Sequence, residues 1–286
     1  MMKLLLTGAE GFTGKHFAVA AKAAGYEVEA LISDLTDAVA VTAEVARIQP
    51  QYVVHLAALS SVTHADEESF YRVNLFGTLN LLNALCALPV RPKKVLLASS
   101  ANVYGNTLHS PITEECVPKP VNHYAMSKLA MEMMAANYLD RLPVVIARPF
   151  NYTGLGHDTR FVVPKIVDHF KKKANEIELG NLQVEREYND VRMVCATYLR
   201  LLASGESGQI YNVASCRAVS LREVIGLLEN ITGQKMLVKV NPAFVRANEV
   251  HVLVGSAKKL ESFAGPLEQP SLKETLHWML HPESAE

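Results

Sequence analysis

Long apolar runs are scarce in this sequence. The N-terminal stretch from Lys3 to Thr7 is mostly apolar but stops at Gly8, far short of a secretory signal core or of the ~20 residues a membrane helix needs. No later segment reaches spanning length, so no membrane partner is expected. Basic runs are scarce too. The longest is the Lys171–Lys173 triplet and the formal net charge is −1, which argues against a nucleic-acid surface. Cys86, Cys116, Cys195 and Cys216 stand far apart with no Cys-x-x-Cys pair. That excludes the usual spacings of a zinc site or a disulfide framework, and no metal is expected. Reduced thiols in the cytoplasm are the default expectation. No internal repeat or low-complexity tract is evident.

What is present is a large apolar fraction. Hydrophobic residues make up 49% of the 286 positions, enough for one substantial α/β core with or without a small appendage. Lys3–Thr7 reads as a buried strand, followed by an Ala-rich helix over Thr13–Ala24 that Gly25 closes. A second strand is predicted over Tyr26–Ile32, then a helix capped by Thr36 or Asp37 and ending before Pro50. A third strand covers Tyr52–Leu56, one long helix Ser69–Leu88, a fourth strand Lys94–Ala98, a helix His123–Leu139 and a strand Val144–Ala147. This alternation predicts βαβ units and a doubly wound parallel sheet of the Rossmann type, with ligands at the carboxyl ends of the strands. After Pro149 the rhythm loosens. An amphipathic helix over Phe161–Lys173, a strand over Ile210–Ala214 and a Ser220-capped helix over Leu221–Thr232 remain legible. The expected division is a dinucleotide-binding part over 1–150, with some of 186–215 returning to it, and a small C-terminal substrate-binding lobe over 151–286.

Three motifs carry chemistry. Gly8-Ala9-Glu10-Gly11-Phe12-Thr13-Gly14 joins the first strand to the first helix. Glycines there permit a tight turn and let a pyrophosphate approach the backbone at a helix N-terminus, although the spacing is GxxGxxG rather than GxGxxG. Tyr124 and Lys128 lie four apart on a predicted helix and so share a face. A phenol titrates near ~10, and a nearby ammonium and a cationic oxidised nicotinamide are both expected to lower that value, so that the pair can exchange a proton with a carbonyl or alcohol near neutral pH. Ser99-Ser100-Ala101-Asn102-Val103-Tyr104-Gly105 follows the fourth strand directly and can place a hydroxyl on a reacting oxygen. Each motif alone also fits an ordinary turn or a solvated helix face. Their order along one chain makes coincidence a poor account.

With these residues in place, the chain resembles the extended short-chain dehydrogenase/reductases over nearly its whole length. The resemblance implies that Gly8, Gly11, Phe12, Thr13 and Gly14 form the cofactor loop, and that Asp34 and Leu35 contact the adenine. His55-Leu56-Ala57-Ala58 matches the segment lining the cofactor, and Asn74 matches a structural Asn. Ser100, Tyr124 and Lys128 match the catalytic Ser/Thr, Tyr and Lys. Ser60 and Asn102 then fall on the substrate side. Closer kinship is suggested by Arg148-Pro149-Phe150-Asn151-Tyr152-Thr153-Gly154, which is similar to a segment of GDP-mannose 4,6-dehydratases and GDP-4-keto-6-deoxy-mannose reductases whose Asn, here Asn151, faces the sugar nucleotide. Arg186-Glu-Tyr-Asn-Asp-Val and Arg246-Ala-Asn-Glu249-Val resemble segments whose arginines hold the diphosphate and whose Glu meets a ribose. Two arginines on one diphosphate are charge-assisted, bidentate donors.

The dehydratases resemble one another in an acidic triplet at the position of Ser100-Ala101-Asn102. This chain has no carboxyl group there, and β-elimination needs such a donor and acceptor. Simple hydride transfer is the favoured expectation: reduction of a 4-keto nucleotide sugar, GDP-linked by resemblance. The alternatives are an epimerase with tightly bound NAD, which shares every motif, and a non-catalytic dinucleotide sensor, which has no use for Ser100, Tyr124 and Lys128 together. The cofactor is NADP or NAD. The second strand ends at Leu31-Ile32-Ser33 without a clear acid or 2′-phosphate arginine, and Lys15 and His16 tilt the reading to NADP. The Ser69–Leu88 and His123–Leu139 helices are apolar around much of their circumference, which suggests a homodimer.

Overall fold

A computed structural model describes residues 2–60, 66–107, 109–244, 252–266 and 268–284. Arg246 and Glu249 lie outside the described residues. The first half runs β1 (Met2–Thr7), α1 (Phe12–Ala23), β2 (Tyr26–Ala30), α2 (Ala38–Ile48), β3 (Tyr52–His55), α3 (Glu67–Phe70), a π-helical turn (Tyr71–Gly77), α4 (Thr78–Cys86), β4 (Lys94–Ala98), α5 (His123–Ala136) and β5 (Val144–Pro149). The second half runs β6 (Tyr152–Thr153), α6 (Val162–Lys171), β7 (Glu176–Leu179), β8 (Glu185–Arg186), β9 (Asn189–Asp190), α7 (Val191–Ser204), β10 (Ile210–Val213), β11 (Val219–Ser220), α8 (Leu221–Thr232), β12 (Leu237–Val240), β13 (Val252–Leu253), α9 (Lys258–Ala264) and α10 (Leu272–Leu280).

Six strands form one parallel sheet in the order β10-β5-β4-β3-β1-β2. This is the doubly wound Rossmann-type sheet expected from the sequence. Its period-2 logic is visible in β1, where Leu4 and Leu6 face α1 and α7 while Leu5 faces α2, α4 and α5. Both faces are buried, which is why the strands read as nearly continuous apolar runs. The direction of winding reverses between β1 and β3, and the crevice at their carboxyl ends is where such sheets bind ligands. β10 closes the sheet against β5, with Ile210 opposite Ile146. A further core of α6, α8, α10 and β7 forms around Ile166, Phe170, Val224, Leu228 and Leu276.

Two elements depart from the sequence expectation in informative ways. The helix expected over Ser69–Leu88 is interrupted by the π-helical turn, because Asn74 is turned fully inward. Its Oδ1 accepts the Leu59 amide at 2.9 Å while its Nδ2 donates to Leu59 O at 3.1 Å and to Ser127 Oγ at 3.0 Å. The second strand stops at Ala30, short of Ile32, because the amides of Ile32 and Ser33 turn to the Glu44 carboxylate. Among the described residues, no helix is long and apolar enough to cross a membrane.

Candidate active site

The glycine loop shows why its residues are glycines. Gly8 has φ +69°, and a Cβ there would lie 2.7 Å from Ala57 N. A Cβ on Gly14 would lie 2.1 Å from Gly8 O. Gly11 sits at the N-cap of α1 with no side-chain cap among the described residues, so the first amides of that helix keep hydrogen-bonding capacity for a ligand. A turn cleared of side chains, ending on an uncapped helix N-terminus, fits a dinucleotide pyrophosphate. Phe12 and Thr13 point instead to the second half of the chain. Phe12 stacks on His157 at 4.2 Å between ring centres, and Thr13 Oγ1 is 2.8 Å from the Tyr152 hydroxyl.

The wall after β3 is fixed by a relay of hydrogen bonds. The Ala57 amide donates to Thr7 Oγ1 at 3.1 Å, Thr7 Oγ1 is 2.7 Å from His55 Nδ1, His55 Nε2 is 2.8 Å from Thr78 Oγ1, and Thr78 donates to Asn74 O at 2.7 Å. With both ends of this relay set by backbone groups, Thr7 donates to Nδ1 and the imidazole carries its proton on Nε2. Burial, helped by the charge of Lys128, pushes the His55 pKa down to about 3, so the ring stays neutral. Leu56, Ala57 and Ala58 are half-buried along this wall and Ser60 is exposed at its end. Asp34 is exposed and accepts from the amide and hydroxyl of Thr36, which hold its carboxyl below the usual range. Leu35 is buried in the core beside Gly77. Lys15 is exposed, and the His16 ring nitrogen is 2.8 Å from Leu155 O.

Ser100, Tyr124 and Lys128 come together as the sequence spacing implies. Ser100 caps a 3-10 turn (Ala101–Tyr104), its Oγ accepting the Asn102 amide at 3.2 Å, and its side chain is close enough to Tyr124 to oppose the effect of burial on the phenol. Lys128, one helical turn further along α5, donates to Ala98 O at 2.8 Å at the end of β4. All three are at least nine-tenths buried. The Tyr124 phenol is raised above its ordinary value, because burial outweighs the effect of Ser100 and the Lys128 ammonium is directed to Ala98. Lys128 itself is pulled down to about 8 by burial, with Glu132 acting in the opposite sense.

Glu132 is the group that the sequence reading missed. It lies four residues beyond Lys128 on the same helix face, which is the signal that could have found it. Arg148 donates to it twice, Nε to Oε1 at 2.9 Å and Nη2 to Oε2 at 2.5 Å, and Ser99 Oγ donates to Oε1. Glu132 and Arg148 are 4% and 2% exposed. The guanidinium also lies 4.8 Å from the Tyr104 ring centre, and Tyr104 in turn donates to Asn212 Oδ1 at 2.7 Å. A buried ion pair thus braces the floor of the site between β4, α5 and β5.

On the other side, Asn102 is half-buried and Asn151 exposed. Arg186 is half-buried and donates to Glu185 O at 2.8 Å. Its neighbour Glu187 is fully buried and ties three segments together, accepting from Gly255 N at 2.6 Å, Ser215 N at 2.6 Å and Asn189 Nδ2 at 2.8 Å. Among the described residues, no group of three His, Cys, Asp or Glu could hold a metal ion.

Sheet, glycine loop and the Ser–Tyr–Lys cluster define a dinucleotide-dependent short-chain dehydrogenase/reductase of the extended class. The chain belongs to the NAD dependent epimerase/dehydratase family, whose profile matches residues 4–214. It is 36% identical over 270 residues to the GDP-6-deoxy-D-talose 4-dehydrogenase of Aggregatibacter actinomycetemcomitans, covering 92% of each chain. It is 35% identical over 294 residues to the GDP-6-deoxy-D-mannose reductase of Pseudomonas aeruginosa, covering 97% of this chain and 96% of that one. The structure of RMD from Pseudomonas aeruginosa complexed with NADPH superposes with a TM-score of 0.90 at 33% identity, covering 98% of both chains.

Proposed function

We propose that this chain is an NAD(P)-dependent oxidoreductase that reduces the 4-keto group of a nucleotide-linked 4-keto-6-deoxy sugar, with a GDP-linked sugar favoured. The observation that carries the reading is a buried cluster of Tyr124 and Lys128 with Ser100, whose next residues, Ala101 and Asn102, offer no carboxyl group. Such a cluster can protonate an oxygen but is not equipped to remove water from the sugar ring. The preference for GDP rests on the two curated relatives, both named for GDP-linked 6-deoxy sugars. One is named a 4-dehydrogenase of a 6-deoxytalose and the other a reductase of a 6-deoxymannose, two sugars that are epimers at C4.

When bound, the reduced dinucleotide supplies hydride. The chain supplies the rest. The uncapped N-terminus of α1 and the glycine loop hold the pyrophosphate, with Leu56, Ala57 and Ala58 along one wall and Asp34–Leu35 toward the adenine. Tyr124 donates its phenolic proton to the substrate oxygen. Ser100 hydrogen-bonds that oxygen, and Lys128 holds the nicotinamide ribose. Ser60, Asn102 and Asn151 face the sugar nucleotide, and Arg186 takes the diphosphate, joined in this reading by Arg246 and Glu249. Residues 1–150, with part of 186–215, form the dinucleotide part and 151–286 mainly the substrate lobe.

The same reading makes the enzyme a homodimer. Phe76 (53% exposed), Met126 (44%) and Met133 (63%) lie on the neighbouring π-turn and α5, an apolar surface suited to a second copy. Light scattering showing a monomer at micromolar concentration refutes it. Four free cysteines suit a reducing compartment, and the reading places the enzyme in the cytoplasm.

The test is turnover of a GDP-linked 4-keto-6-deoxy sugar with NADH or NADPH. External cofactor should be consumed stoichiometrically, whereas conversion without consumption makes the chain an epimerase. Tyr124→Phe should bind dinucleotide normally and lose turnover by ~10²–10⁴-fold. Near-normal activity in that variant refutes the assignment.

A further inference from the structure

The strand that carries Arg186 is too short to hold itself. β8 is two residues long, and so are its neighbours β11 and β13. Arg186 stands in the middle, opposite Val219 on one side and Leu253 on the other. A ladder of this length gives little order by itself. The next residue supplies what the ladder lacks. Glu187 is 0% exposed, and its Oε1 accepts the Gly255 amide at 2.6 Å. Its Oε2 accepts the Ser215 amide at 2.6 Å, the Ser215 hydroxyl at 3.2 Å and Asn189 Nδ2 at 2.8 Å. Ser215 lies on the chain entering β11, and Gly255 on the chain leaving β13. One carboxylate therefore clamps both strands that flank Arg186. Burial pushes that carboxyl above its ordinary range, and the donors act against burial.

The same clamp reaches the other substrate-side segment. The Asn189 amide donates to Asn151 O at 3.0 Å, and β9 pairs with β6 directly beyond Asn151. Gly255 is pressed against the residue before Asn151, since a Cβ on it would lie 2.3 Å from the Phe150 ring. The 254–256 stretch is also bonded to Ile112, whose amide donates to Val254 O at 2.8 Å and whose carbonyl accepts the Ser256 amide at 2.8 Å. Asn212 Nδ2 donates to that carbonyl at 3.0 Å, and Asn212 Oδ1 accepts the Tyr104 hydroxyl at 2.7 Å. Tyr104 ends the turn that Ser100 caps. Glu187 thus lies where the Arg186 strand, the Asn151 segment and the Ser100 turn are tied together.

We propose that Glu187 is a positioning residue for a nucleoside diphosphate: without touching the ligand, its carboxylate fixes Arg186 relative to Asn151 and so decides how much binding the second phosphate contributes. The inference rests on the reading above in which Arg186 takes the diphosphate. Glutamine is the informative replacement. It keeps the shape but exchanges one carboxylate oxygen for an NH2 group, and donors face both oxygens. One side must then meet donor to donor, which opens the clamp at β11 or at β13.

Binding tests it without turnover. The purified protein is titrated by calorimetry with GDP and GMP and with UDP and UMP, and the pair that wild type binds better is carried to the variants. In wild type the diphosphate should bind about tenfold or more tightly than the monophosphate, the order expected of a charge-assisted guanidinium contact. Glu187→Gln should lose most of that preference while a separate NADPH titration stays unchanged. Arg186→Gln should lose the same preference, and adding Glu187→Gln to it should cost nothing more. A folded Glu187→Gln with the wild-type preference overturns the proposal. So do additive losses in the double variant, or an equal loss of NADPH binding, either of which makes Glu187 a general support of the fold. If the glutamine variant does not fold, Asn189→Ala decides: it removes one donor and keeps the carboxylate, so the preference should fall by less in the same direction, and an unchanged preference overturns the proposal. A wild type with no preference for the diphosphate refutes the assignment of Arg186 itself, and this inference with it.

Discussion

Replacing Glu132 with glutamine removes the anion beneath Lys128 and leaves Arg148 in place. Arg148 is 2% exposed, has both of its carboxylate contacts with Glu132, and has Nη1 without a hydrogen-bond partner among the described residues. Taking away one partner of such a pair strands a charge in a low-dielectric interior, at a cost of about 3–5 kcal/mol. At ~2–4 °C per kcal/mol for a chain of this size class, the melting temperature should fall by an amount on the order of 10 °C. A urea titration of wild type and Glu132→Gln checks the figure, with the m-value unchanged if only the folded state is affected. The double variant with Arg148→Met should recover much of the loss, because no charge is then left unpaired. The activity carries a second signature. Burial pulls Lys128 down to about 8 and Glu132 opposes it. Without Glu132 the ammonium is lost at lower pH, so the alkaline limb of the reduction profile should move to lower pH. A stability loss below ~1 kcal/mol, with the limb unmoved, refutes the view that this pair braces the site.

Other outcomes follow from single contacts. Gly14→Ala places a Cβ 2.1 Å from Gly8 O, so it should abolish dinucleotide binding in calorimetry and destabilise by ~1–3 kcal/mol or more. Gly226, inside α8, has nothing within 4 Å of a Cβ, and Gly226→Ala should raise stability by roughly 0.5–1 kcal/mol in the same urea titration. His55 is held to about 3 against 6.5 for the unconstrained side chain. The unfolded chain binds a proton below 6.5 that the folded chain refuses until about 3. Stability from this site is therefore complete above 6.5 and is lost through that window, at up to ~1.4 kcal/mol per pH unit. His55→Asn should flatten the slope of unfolding free energy between about pH 6.5 and about pH 5, and parallel slopes refute the assignment.

What the sequence discloses here is what a residue type or a local spacing encodes. Gly8 and Gly14 are legible because only glycine fits their backbone positions, and Tyr124 with Lys128 because four residues span one helical turn. Glu132 shares that face but acquires meaning only from Arg148, on another element. Glu44 likewise acts on a strand end through a fold contact that no periodicity announces. The π-helical turn at Tyr71–Gly77 escaped for a related reason: apolar spacing over one turn does not separate a helix from a helix with one residue inserted, and the inward pull on Asn74 comes from Leu59 and Ser127. The direction of the Tyr124 shift depends on burial, which is a property of the packed site and not of the Tyr-x-x-x-Lys pattern.

The late arrival of β10 has a consequence for biosynthesis. All six residues of β5 are buried, and among the described residues the edge away from β4 is paired with Ile210–Val213. Val191, Val194, Tyr198 and Leu201 of α7 also cover one face of the same sheet. At ~5–20 residues per second, a ribosome delivers these elements several seconds after β5 has emerged. During that interval the nascent chain carries an apolar strand with an unpaired edge, open to any other strand that reaches it. A stalled or truncated product ending before β10 is thus the species most exposed to aggregation, and the mid-chain region after Pro149 is the place where slowed translation should reduce the soluble yield.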